Sequence, residues 1–499
     1  MALLLGYDVG SSSIKATIID AGSGKVIASA TSPEKEMPIT AKRPGWAEQA
    51  PAMWWQHVVN ATAKLRSECG SKTKDIKAIG ISYQMHGLVA VDKNGDVLRP
   101  AIIWCDSRAV EIGNKAAQAI GTRRCLRNLL NLPGNFTASK LAWVKANEPG
   151  IYKKIYKVML PGDYIAYVMT GQIYTTPSGL SEAILWDYTR QDLARFVLDH
   201  YGIDPGLIPD LIPTFGIQGE LTSEAARQLG VPAGTPVAYR AGDQPNNAFS
   251  LGVLEPGQVA ATAGTSGVVY GITDQQRFDP RSRVNTFVHV NHRPDRPRYG
   301  VLLCLNGAGI LNSWVKHQVC TGLEYDQMDA LAAQISPGCG GLVVLPYGNG
   351  AERTLDNRLV GGVIANLNFN IHTKAHIARA AQEGVIFALK YGLEIMQKHA
   401  GVKVNTVRAG HANMFLSPVF ATAFATATGA TVELYNTDGS QGAARAAGVG
   451  AGIYRNLKQA FAALTCTRRI RPEKKAFDAY QQAYNAWVNQ LGLQLGSAQ

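Results

Sequence analysis

LLLGYDVGSSSIKATIID, residues 3–20, consists of two apolar runs separated by Gly10-Ser11-Ser12-Ser13. Each run is long enough for one strand, and the Gly/Ser break is turn chemistry, so the stretch predicts a β-hairpin from Leu3 to Asp20. A third strand candidate, Lys25 to Ser32, follows the Gly22 to Gly24 turn. Three antiparallel strands therefore open the chain. Within the first strand the only charged residue is Asp8. A carboxylate buried there without a partner would be costly, so it calls for a cation.

Downstream, Pro51 starts a helix rich in large residues that ends near Gly70, and Ile76 to Ser82 reads as a buried strand. Strands and helices then alternate, which predicts an α/β class. The opening hairpin recurs as Gln258 to Ile272, folded about Gly264-Thr265-Ser266-Gly267. A motif that starts each half of a 499-residue chain implies two duplicated domains, because one core rarely grows that large. The boundary falls near residues 245 to 256, punctuated by Gly252, Pro256 and Gly257, giving domains 1–247 and 248–499. In the second half, Thr373 to Ala400 has helical spacing of apolar residues and a Gly401 stop. Strand Val404 to Arg408, helix Met414 to Thr428, strand Thr431 to Tyr435 and helix Gln441 to Tyr454 follow.

Composition narrows the function classes. Hydrophobic residues make up 46% and charged residues 17%, an ordinary globular balance. The seven cysteines contain no CxxC pair, which argues against a zinc site or a disulfide framework and favours a reduced cytoplasm. The N-terminus lacks the basic residue of a signal peptide, and no apolar run is long enough to span a membrane. The net charge of +12 is scattered; its densest cluster, Arg468 to Lys475, reads as a solvated face. Without interleaved aromatics it does not suggest nucleic acid.

Two Gly/Ser/Thr turns can each present backbone N–H groups and short hydroxyls to a phosphate, although either alone could be a plain tight turn. Their pairing, with Asp8, points to a nucleotide and magnesium. Lys15 could support a phosphate or face solvent. Asp243, in Ala241-Gly242-Asp243-Gln244-Pro245-Asn246-Asn247, is placed either as a base for a hydroxyl proton or as an Asx-type cap of the next helix, and both can hold. Tyr83-Gln84-Met85-His86-Gly87 falls on a loop, where His86 could hydrogen-bond sugar hydroxyls or be a satisfied structural histidine. Trp104, Asp106 and Arg108 line or brace the same wall. There is no GxxxxGK[ST] and no GxGxxG opening a helix, which excludes the P-loop and dinucleotide folds. His289 and His292 have metal-pair spacing but no third ligand, so a surface strand end is expected.

These residues resemble the FGGY family of carbohydrate kinases over nearly the whole chain. The resemblance rests on Gly6-Tyr7-Asp8-Val9-Gly10-Ser11-Ser12, Gly45-Trp46-Ala47-Glu48-Gln49, Gln84-Met85-His86-Gly87, Trp104-Cys105-Asp106-Ser107-Arg108, Phe136 to Leu141, Leu160 to Tyr164, Gly242-Asp243-Gln244, Gly264 to Gly267 and Leu345-Pro346-Tyr347. It implies two actin-like ATPase (ribonuclease H-like) domains with a cleft between them. It also implies ATP and Mg2+ as cofactors, a small sugar as substrate, no nucleic acid or membrane partner, and leaves a homodimer open. Within the family the Gln-Met-His-Gly and Trp-Ala-Glu-Gln stretches are most similar to the xylulokinase branch, which implies transfer to the 5-hydroxyl of D-xylulose. Gluconate, a different ketose, or a catalytically weak sugar-binding relative are the alternatives.

The site residues carried over are Asp243 and Asp8 for catalysis and metal, and Met85, His86, Asp243 and Gln244 for sugar. Ser11, Ser12, Gly264, Thr265, Ser266, Trp314, Gly410, His411 and Asn413 are carried over for ATP. Three departures stand out. Gly242-Asp243-Gln244 replaces the usual Gly-Asp-Asn, Arg408-Ala409-Gly410-His411-Ala412 replaces Gly-Gly-Gly-Ala, and Ile364-Ala365-Asn366-Leu367 replaces Phe-Gly-Leu.

Overall fold

The computed structural model describes residues 2–496. The chain forms two compact units, one of Met1–Gly252, Phe287–Arg298 and Thr437–Leu464, the other of Val253–Thr286, Tyr299–Asn436 and Thr465–Gln499. The units are thus not contiguous halves of the chain. Residues 437–464 return to the first unit because their helix is built to pack there, as described below.

In the first unit, β1 (Leu3–Val9), β2 (Ile14–Asp20), β3 (Val26–Ser32), β4 (Ile76–Tyr83) and β5 (Val237–Gly242) form a five-stranded sheet in the order β5-β4-β1-β2-β3. The expected hairpin is present, with β1 and β2 antiparallel, while β4 and β5 add in parallel. Register sets Asp8 opposite Lys15 on one side and Ser82 on the other. Helix α1 (Pro51–Cys69) begins on its proline and ends at Gly70, whose φ of 58° suits a residue without Cβ. Its buried face, Trp54, Val58, Ala61 and Leu65, covers β2 and β3. Helices α2 (Thr137–Asn147), α3 (Pro177–Glu182) and α4 (Asp243–Ser250) carry residues used below.

The second unit repeats this order. Strands β6 (Gly257–Ala263) and β7 (Gly267–Thr273) form the second hairpin, and β8 (Tyr299–Leu305) lies antiparallel beside β7. Strands β9 (Val404–Gly410) and β10 (Thr431–Tyr435) add in parallel on the β6 side, followed by β11 (Cys466–Ile470). Strand for strand, β8-β7-β6-β9-β10 matches β3-β2-β1-β4-β5. Helix α5 (Gly309–Trp314) follows β8, and α6 (Lys374–Ala400) covers β7 and β8 as α1 covers β2 and β3.

Two helix starts differ from the periodicity. Helix α7 runs Pro418–Thr428 rather than from Met414, because proline favours the first helical position and Ser417 Oγ caps it by accepting from Phe420 N at 3.1 Å. Residues Asn413–Leu416 form a separate 3-10 turn. Helix α8 spans Gly439–Gly450 rather than Gln441 to Tyr454, because Asp438 caps it by accepting from Gln441 N at 3.0 Å. It lies directly against β1 and β4. A Cβ on Gly6 would collide with Ser440 O and Ala444 N, and one on Gly80 with Ala443 O. Small residues on both surfaces permit this approach.

Among the described residues no helix is long and apolar enough to cross a membrane. His289 is buried rather than exposed at a strand end.

Candidate active site

The first unit gathers carboxylates at the ends of β1, β5 and the α8 cap. Asp8 Oδ1 accepts from Ser82 Oγ at 2.8 Å. Lys15, read as facing either a phosphate or solvent, pairs with Asp438 Oδ2 at 2.7 Å. Glycine at 439 is required here: a Cβ would fall on Asp8 Oδ2 and stand 2.8 Å from Asn247 Oδ1. Burial pushes the Asp8 carboxyl up, Ser82 opposes this, and the charge of Asp438 adds to it. Burial would also raise Asp438, but Lys15 and the Gln441 and Ser440 donors together hold it below its ordinary value. Asp243 is the first residue of α4. Its carboxyl is pushed up to about 7, mainly by burial and then by the charge of Asp8, while the Gln244 backbone and side chain pull it back. Gln244 is therefore engaged with the Asp243 carboxylate.

Beside these acids stands the predicted sugar wall. Met85 packs against Gly242, where a Cβ would approach its Cγ to 2.6 Å. His86 has φ 62°, and its ring lies 4.8 Å from Phe136 and 5.5 Å from Phe287. Trp104 is exposed and donates to Ser11 Oγ at 3.2 Å, while Gln49 Nε2 donates to Ser11 O at 2.7 Å. Asp106 and Arg108 are braces. Arg108 pairs with Asp106 and Glu48 at 2.7 Å each, and its guanidinium lies 3.8 Å from the Trp46 ring centroid.

In the second unit the turn at Gly264 opens onto a cavity of about 480 Å³ lined by Gly264, Thr265, Asn413, Gly309, Asn312 and Ser313, among others. Gly309 N donates to Gly264 O at 2.8 Å and Ile310 N to Thr265 O at 3.1 Å, so the start of α5 docks on the hairpin turn. Asn413, with φ 54°, is turned into this cavity at the end of β9. Trp314 instead lines a different, apolar cavity of about 370 Å³ with Ile310, Val344, Pro346 and Ile364. Gly410 and His411 prolong β9, with His411 N donating to Tyr435 O at 2.8 Å, and with Ser266 they are not among the residues lining the larger cavity.

Comparison with known proteins places these features. Residues 3–250 match the model of the FGGY family of carbohydrate kinases, N-terminal domain, and residues 259–451 match its C-terminal domain. The chain belongs to the FGGY family of carbohydrate kinases. It is 29% identical over 501 residues to a xylulose kinase of Bacillus subtilis, covering 97% of each. A solved xyloylose kinase from Brucella ovis superposes with a TM-score of 0.89 at 27% identity, covering 99% of this chain and all of that one. A gluconate kinase from Lactobacillus acidophilus shares the fold, with a TM-score of 0.87 at 21% identity and 99% coverage of both chains.

This FGGY kinase therefore has the actin-like ATPase fold in both units and phosphorylates a sugar with ATP. The chemistry of its residues fits a nucleotide–magnesium complex. The Gly264 turn supplies backbone and hydroxyl groups. Asp8 Oδ2 and Asn247 Oδ1 converge where a Cβ on Gly439 would lie, and Lys15 is already paired with Asp438. Among the described residues no three acidic, histidine or cysteine side chains form a direct metal cage. Magnesium keeps several waters and is commonly held by one or two carboxylates and phosphates, a role open to Asp8. Sequence reading missed Asp438, Gly439 and Asn247, and also Gly309, Asn312 and Ser313. The Asp438-Gly439-Ser440-Gln441 helix start was the available signal for the first two.

Proposed function

We propose that this kinase transfers the γ-phosphoryl group of ATP to the 5-hydroxyl of D-xylulose, with Asp243 as general base. The observation that carries the reading is the junction at Gly242. Met85 of the sugar wall packs on this glycine, and the next residue is Asp243 at the start of α4. The base and the groups assigned to the sugar thus share one rigid corner of the first unit. The likeness to curated xylulose kinases supports the choice of sugar.

In this reading Met85 lies along the carbon skeleton and His86 hydrogen-bonds a sugar hydroxyl. Asp243 accepts the proton of the attacking hydroxyl, and Gln244 keeps its carboxylate oriented. Asp8, with Asn247 beside it, would hold magnesium through water. Magnesium, when bound, neutralises charge on the phosphates. Gly264, Thr265 and Asn413 hold the nucleotide, and Ser11 and Ser12 offer the other hairpin to phosphate. Phosphoryl transfer gains mainly from alignment and charge stabilisation, so the residues need only position the hydroxyl and remove its proton.

The test is sugar-dependent ADP release over a panel of D-xylulose, other ketoses and gluconate, with identification of the phosphorylated carbon. D-xylulose should give the highest kcat/KM and a 5-phosphate product. A higher value for gluconate would move the assignment to that acid and retain the kinase chemistry.

The pH dependence follows from Asp243. Its carboxyl is raised from 3.8 to about 7, and only the ionised form can accept a proton. Activity should therefore fall as pH drops through about 7 rather than near 4. A kcat/KM profile for the sugar that stays flat down to pH 5 would remove Asp243 from the base role.

A further inference from the structure

His86 is held from three sides by two buried ionisable residues, Glu182 and the Lys140 of the Phe136 to Leu141 stretch, to which the reading above gives no role. Its left-handed backbone is uncommon for a residue with a Cβ and needs outside support. Its N–H donates to Glu182 Oε2 at 3.1 Å, and its Nδ1 lies 2.9 Å from the Glu182 backbone carbonyl. Its own carbonyl accepts from Lys140 Nζ at 2.8 Å. The same ammonium donates to Ile103 O at 3.0 Å, just before Trp104. One lysine thus ties together the two loops of the sugar wall.

Both side chains are deeply buried, Lys140 at 0% and Glu182 at 1% relative exposure. Ionisable groups are expensive to bury, and burial pushes the Glu182 carboxyl well above its ordinary range and the Lys140 ammonium down to about 7, so apolar residues would often serve stability as well or better. Glu182 also keeps Oε1 without a hydrogen bond. A Cβ on Gly242 would stand 3.3 Å from both of its carboxylate oxygens, so the same group packs under the turn that carries Asp243. The contact with the Glu182 carbonyl sets the tautomer too. A ring nitrogen facing a carbonyl must donate, which makes Nε2 the acceptor of the neutral imidazole.

We propose that Glu182 and Lys140 are positioning residues that hold His86 in its left-handed conformation and single tautomer, and thereby set the enzyme's affinity for its sugar. The proposal rests on the sugar-kinase reading of His86. An acceptor Nε2 at a fixed place selects a sugar hydroxyl that can donate there, and loosening either anchor loses that selection without touching the residues that line the cavity at the Gly264 turn.

The test compares wild type with Glu182→Gln, Lys140→Met, His86→Ala and the double variant His86→Ala/Glu182→Gln. Thermal unfolding checks the fold of each. Glu182→Gln keeps the shape but exchanges the carboxyl that accepts from the His86 N–H for an amide. Its KM for sugar should rise about tenfold, with the KM for ATP within about twofold. Lys140→Met should show the same split, and supplies the answer if Glu182→Gln does not fold. In the His86→Ala background Glu182→Gln should add little further change in sugar KM, because the backbone contact it alters matters to the sugar only by placing that ring.

Equal rises in both KM values, no rise in either, or full additivity in the double variant would overturn the proposal. If wild type uses a sugar other than D-xylulose, the substrate assignment fails, and the same comparison with that sugar still decides this one. If wild type phosphorylates no sugar, both fall.

Discussion

Asp243→Asn should lower kcat by roughly 10²- to 10⁴-fold, the range expected for losing a positioned general base. Affinity for ATP should change by no more than about twofold, because Asp243 does not line the cavity at the Gly264 turn. The amide matches the carboxylate in shape, so Met85 and Gly242 keep their packing. It also removes one of two mutually repelling buried charges, since Asp8 raises the Asp243 carboxyl. Stability should therefore hold or increase. Single-turnover phosphoryl transfer, calorimetric ATP binding and thermal unfolding measured on the same preparation would show this pattern. A loss of less than about tenfold would place the base elsewhere. A fall in ATP affinity as large as the fall in rate would mean that Asp243 acts through the nucleotide.

The largest stability effect should come from Gly80→Ala. Residue 80 lies in β4, an interior strand of the sheet, and a Cβ there would overlap the Ala443 carbonyl of α8, which is backbone and cannot swing aside. Separating helix from sheet would leave a gap along β1, β4 and β5, so the cost should reach about 3 kcal/mol or more. The first unit should unfold at lower temperature, and soluble yield should drop. Activity should fall as well, since α8 carries Asp438 and Gly439 against Lys15 and Asp8. Gly150→Ala is the control, because nothing lies within 4 Å of its added Cβ. Differential scanning calorimetry of the two variants separates the explanations: equal unfolding profiles would show that the α8 seam tolerates a methyl group.

The second expectation depends on one helix whose place in the molecule no local pattern reveals. The periodicity of residues 439–450 announces a helix, and its alanines and glycines announce a close neighbour, but not which strand that neighbour is. Likewise Lys15 lies opposite Asp8 in the hairpin register and yet pairs with Asp438, over four hundred residues away in the chain. Trp314 read as a neighbour of the nucleoside, but the turn of α5 carries it to a separate apolar cavity. Glu182 gave no distinct signal and Lys140 stood out only as part of the Phe136 to Leu141 stretch, since a buried ionisable group is recognised only from what surrounds it.

Residues 3–20 and their echo at 258–272 were sufficient by themselves to predict two hairpin-led α/β domains. A strand or tight turn is specified by neighbours within a few positions, and so were the motifs that mark a carbohydrate kinase. Tertiary structure alone decided which carboxylate meets which cation and which loop is clamped. Those choices are made by charges and backbone surfaces that desolvate together only after distant segments have packed.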